Sequence, residues 1–110
     1  MSLNVNFNEL LEEVKKIKFQ ETRADRADYF EGVMKVDSIP DLTVVLQNYF
    51  GTAAKPAGQS PKGKDQQASS AYGGIQKNQT LYWNDEKTGE IAMLWPWGDG
   101  ASVTLKIAHQ

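Results

Sequence analysis

The stretch GEIAMLWPWGDGASVTLKIA, residues 89–108, carries the reading of the fold. Residues 89–94 and 101–108 both have strand character, and Trp95-Pro96-Trp97-Gly98-Asp99-Gly100 between them has the composition of a turn. The pair therefore reads as an antiparallel hairpin with two tryptophans at its tip. Upstream, Thr80-Leu81-Tyr82-Trp83 is a further strand, joined through the loop 84–89, which glycine closes, so the last third is a β-meander. Side chains alternate across a strand, which groups Ile91, Met93 and Trp95 with Leu81 and Trp83, and groups Val103, Leu105 and Ile107 together. Both sets are expected beneath the helices. Tyr82, Ala92 and Leu94 then fall on a second, open face that is less polar than a solvated sheet requires.

Working outward, Phe7, Leu10, Leu11, Val14 and Ile17 recur at helical spacing, with Asn6 as cap and Val5 and Leu10 as a hydrophobic staple. Leu42, Val45, Leu46, Tyr49 and Phe50 mark a second helix, with Ser38 at its start, Pro40 in its first turn and Gly51 at its end. Residues 29–36 read as a strand in which Gly32 signals a bulge or a close backbone approach. Residues 20–28 are polar and charged, as a solvated connection or a helical extension would be. Residues 51–79 are poor in large apolar side chains and read as one long loop, flexible over about 52–71, with order resuming near Tyr72. The expectation is a single α+β domain over 1–110, ordered α-β-α-loop-β-β-β. Two helices cover one face of a mostly antiparallel sheet of about four strands.

Composition narrows the function. A net charge of -2 and a pI near 5.3 supply no field for a polyanion, which disfavours nucleic acid as partner. No apolar run is long enough to cross a bilayer and no leader-like segment opens the chain, so it is expected to be cytoplasmic. The absence of cysteine removes disulfides, thiolate nucleophiles and thiolate metal sites. The single histidine, His109, stands near a chain end where strands fray, a poor position for a general base. Asp85, Glu86, Glu90 and Asp99 are the nameable carboxylates for an enzyme, and turn chemistry already accounts for most of them. Asn84, Asp85, Glu86 and Glu90 lack calcium-loop spacing, and Gly73-Gly74 lacks the lysine and hydroxyl of a phosphate loop, so no metal or cofactor is expected.

What remains is aromatic. Trp97, displaced to the strand end by Pro96, with Tyr72, Tyr82 and Leu94, forms the candidate contact surface of a non-catalytic interaction domain. Such a domain would self-associate as a dimer through the open face or a sheet edge, or dock on another protein. The alternative is a single-stranded nucleic-acid binder using Lys62, Lys64 and Lys77 with Tyr82 or Trp97.

Overall fold

The computed structural model describes residues 7–84, 86 and 89–109. The cap Asn6, its staple partner Val5 and the loop carboxylate Asp85 lie outside them. The elements run α1 (Phe7–Lys15), β1 (Glu21–Arg26), β2 (Tyr29–Lys35), α2 (Ile39–Phe50), α3 (Gly63–Ser69), β3 (Thr80–Tyr82), β4 (Glu90–Pro96) and β5 (Ser102–His109). Every strand pairing is antiparallel, in the order β1-β2-β5-β4-β3, so the architecture is the α+β sheet expected, with five strands instead of about four. The added strand is β1, in the stretch that read as a connection or a helix. No helix is long and apolar enough to cross a membrane.

α1 and α2 cover one face because their apolar stripes repeat at helical spacing. Leu10, Leu11 and Val14 from α1, with Leu42, Leu46, Tyr49 and Phe50 from α2, pack on Phe30, Met34, Tyr82, Ala92, Leu94, Val103, Leu105 and Ile107. Gly51 closes α2 at a positive φ of 84°, its N–H donating to Gln47 O at 2.8 Å. Gly32 is explained by close approach: a Cβ there would come within 2.8 Å of the Phe19 ring. The bulge lies opposite it, on β1, between Thr22 and Ala24.

Val103, Leu105 and Ile107 of β5 lie beneath the helices as expected, but the faces of β3 and β4 are the reverse of the expectation. Ala92 pairs with Ile107 and Leu94 with Leu105, which puts Tyr82, Ala92 and Leu94 under the helices. Leu81, Ile91, Met93, Trp83 and Trp95 occupy the other face, against Ile75, Ala68 and Tyr72. Residues 90–94 are apolar on both sides apart from Glu90, so alternation alone offers no choice of face.

Nor is the second face open over β3 and β4. The segment expected to be one long loop carries α3 and a 3-10 turn at Ser70–Tyr72, and it lies as a strap across Leu81, Ile91 and Met93. Too poor in apolar residues to hold itself by burial, it is pinned by polar contacts. Lys55 is 1% exposed. Its ammonium donates to the carbonyls of Pro56 at 3.1 Å and Lys77 at 2.7 Å, and to that of Gln79, while its backbone exchanges hydrogen bonds with Leu81. Burial lowers the pKa of this amine, and Asp65 opposes the shift. The buried carboxylate of Asp65 accepts from the Lys62 backbone N–H at 2.8 Å and from the Trp83 indole N–H at 3.1 Å, tying α3 to the end of β3.

Candidate functional site

The strap leaves uncovered the part of the second face formed by β1, β2 and the start of β5, and the hairpin tip folds back over it. Pro96 cannot donate to a ladder, yet the Trp97 N–H still reaches Ser102 O at 2.9 Å, so Trp97 is held on the hairpin rather than released from it. The turn behind it is closed by Asp99, whose Oδ1 accepts from the N–H groups of Ala101 at 2.9 Å and Ser102 at 3.3 Å. The Trp97 indole N–H donates to Thr104 Oγ1 at 2.8 Å, which lays the ring over β5 and leaves the residue 39% exposed. The Arg23 guanidinium stands 5.8 Å from the centre of that ring.

Each neighbour of Trp97 leads to the next. Arg23 pairs with Glu21 at 2.6 Å and approaches Glu31 at 3.7 Å, and Glu31 also accepts from the Tyr29 hydroxyl at 2.6 Å. Tyr29 lies between the Arg26 guanidinium, 5.2 Å from its ring centre, and the stacked ring of Tyr72 at 6.1 Å. Beside Glu31 across the β2–β5 pairing is Lys106, whose ammonium lies 3.6 Å from the centre of the Trp95 ring and 3.4 Å from Tyr72 O. Burial lowers the Lys106 pKa, an effect that Glu31 opposes and Arg23 reinforces. Gly73 makes room for Trp95, since a Cβ there would come within 2.9 Å of the indole and its φ is +105°. The Trp95 indole N–H is buried with no hydrogen-bond partner among the described residues. The result is a shelf of aromatic rings interleaved with Arg23, Arg26, Lys106 and Glu31. Its cations are largely answered by Glu21, Glu31 and Asp28, so it lacks a strong field of either sign.

Of the residues singled out from sequence, Trp97 and Tyr72 belong to this shelf, at its outer and inner ends. Tyr82 and Leu94 do not. They are 3% and 6% exposed beneath α1 and α2, because the face they share is the helix-covered one. Arg23, Arg26, Tyr29, Glu31 and Lys106 were missed, since they come from three different strands and only pairing brings them together.

The carboxylates do not gather. Glu90 opens β4 and Asp99 lies in the turn past its other end, and Glu86 is exposed. His109 is not frayed: it pairs with Glu90 in the ladder, its N–H reaches Asp28 O at 2.9 Å, and its ring meets Phe7 edge-on at 5.2 Å. Its Nε2 lies 3.7 Å from Glu90, which also accepts from the Tyr49 hydroxyl. Among the described residues no three His, Asp or Glu side chains gather into a cation site.

Burial is the largest cause raising the tyrosine pKa values of Tyr29, Tyr49 and Tyr82. Hydrogen bonds to Glu31 and Glu90 add to it for the first two. An acid whose pKa rises on folding stabilises the fold below its unfolded value, near 10, and that contribution is lost as pH climbs above it. Tyrosinate absorbance is therefore expected to lag behind that of the unfolded chain, and the three residues to ionise together with alkaline unfolding. Full ionisation near pH 10 with near-ultraviolet circular dichroism intact would contradict the burial described.

No family model, curated protein or solved structure matches the chain.

Proposed function

We propose that the chain is a non-catalytic protein-interaction domain whose contact surface is the shelf centred on Trp97. The observation that carries the reading is an exposed tryptophan clamped by Thr104 and capped by Arg23 on a rigid sheet. Tryptophan, tyrosine and arginine are the residues that most often dominate binding energy, and here rigidity keeps the ordering cost of docking low. The near balance of charge on the shelf favours a protein partner over a polyanion. The nucleic-acid alternative loses Tyr82 to the core, and the guanidinium over Trp97 is already engaged by Glu21 and Glu31. With the β3–β4 part of the second face covered by the strap and the uncovered part assigned to the shelf, self-association is assigned to an edge of the sheet.

The test is capture from cell lysate by the wild-type chain, by Trp97→Ala and by Val44→Ala, an exposed apolar control on α2. Loss of about 2 kcal/mol or more of affinity for the same partner is expected for Trp97→Ala, and none for Val44→Ala. Equal capture by all three removes the shelf as the contact surface.

A further inference from the structure

The two edges of the sheet differ. β3 is capped on its outer side by Lys55, which exchanges both backbone hydrogen bonds with Leu81. Among the described residues no strand pairs on the far side of β1, whose six residues are exposed except for half-buried Ala24. Charges and a bulge commonly blunt such an edge against indiscriminate pairing. On β1 the same devices also form a palindrome.

Glu21 stands opposite Val33 and Arg26 opposite Tyr29, so both lie on the shelf face with Arg23, which reaches Glu31. Thr22 stands opposite Gly32 and Asp25 opposite Phe30, on the helix face, where Asp25 meets Lys15 of α1 at 2.6 Å. Read from either end, the order of faces is the same: shelf, helix, the bulged pair Arg23 and Ala24, helix, shelf. In an antiparallel pairing, directly opposed residues share a face. Only one two-fold register of β1 with itself keeps that rule along the whole strand. It sets Glu21 against Arg26 of the second copy and Thr22 against Asp25, with Arg23 and Ala24 at the axis. Shifting it by one residue either way sets shelf-face positions against helix-face ones, and one of those shifts brings Glu21 against Asp25.

Resting on the reading of the chain as an interaction domain, we infer that its self-association partner is a second copy, joined antiparallel through β1. Two Glu21–Arg26 pairs lock the register. The dimer is a continuous ten-stranded sheet, twice the five strands of one chain. The two-fold axis crosses the sheet, so both Trp97 shelves fall on the same side. An interface this short is at the weak end of the range, and dimerisation is concentration-dependent.

Sedimentation velocity from micromolar to millimolar concentration tests it. Wild type is expected to pass from monomer to dimer. Glu21→Arg and Arg26→Glu are each expected to weaken the dimer about tenfold, since each turns two attractive pairs into two repulsive ones. The combined reversal is expected to recover wild-type association. A second readout does not depend on charge: the chain has no cysteine, so Glu21→Cys with Arg26→Cys should yield an oxidised covalent dimer that neither single variant forms. A wild type that stays monomeric, or a dimer that survives both single reversals, overturns the inference. A monomer that still shows Trp97-dependent capture sinks the β1 dimer alone, and a β1 dimer without such capture sinks the shelf alone.

Discussion

Replacing Lys55 by methionine is expected to cost about 2–3 kcal/mol of stability and to lower the melting temperature by roughly 10 °C. The side-chain volume is kept, so the loss reports the ammonium. Three carbonyls, of Pro56, Lys77 and Gln79, would lose a charge-assisted donor in a place that water reaches poorly. Relief from burying a cation offsets part of that loss, which is why the expected figure stays below the sum of three broken bonds. The damage should be local first. Backbone amides of the strap, such as Gly58, which donates to Lys77 O at 2.7 Å, should exchange faster than those of β5. An unchanged melting temperature, with strap amides as protected as before, would show that Lys55 does not hold the strap.

The larger effect is expected at Leu94. Exchange for glutamate puts a carboxylate under α1 and α2, against Leu105 and its neighbours, and removes a buried leucine, for a combined cost of about 4 kcal/mol or more. A domain of this size commonly has only about 5–15 kcal/mol in total, so the variant should be largely unfolded or insoluble. Trp97→Glu, on the exposed shelf, should stay folded within about 1 kcal/mol of wild type. Thermal melts followed by circular dichroism separate the two. A cooperative Leu94→Glu melt near the wild-type temperature would contradict the burial of Leu94.

The contrast between those two residues also shows what was legible in the sequence. α1 and α2 were readable because each has an apolar stripe at helical spacing, set in α1 against a charged side, as with Leu10, Leu11 and Val14 among Glu9, Glu12 and Glu13. The β4–β5 hairpin was readable from its turn. β1 was not, because an edge strand exposed on both faces needs no apolar alternation, and the ladder to β2 is what makes it a strand. The face of Leu94 was not readable either. Ile91 and Met93 look like the better core, and they are buried, but under a strap whose own apolar side chains are few. Trp97 was visible through Pro96. Arg23, with Glu31 behind it, was brought to Trp97 only through the β2–β5 pairing, which spans most of the chain.

The place of β5 has a consequence for how the molecule comes to be folded. The last strand in sequence is the middle strand in space, between β2 and β4, which do not touch each other without it. During synthesis the β1–β2 hairpin and the helices can form only as fragments with no common sheet to pack on. Assembly must wait for residues 102–109 to emerge. The β2–β5 pairing closes a loop of roughly seventy residues, and such non-local contacts slow folding into the millisecond-to-second range. Refolding is therefore expected as one late cooperative step. Until that step the strongly apolar β4 has only the short β3 as a partner and its β5 side open, which makes it the segment a chaperone would have most reason to hold.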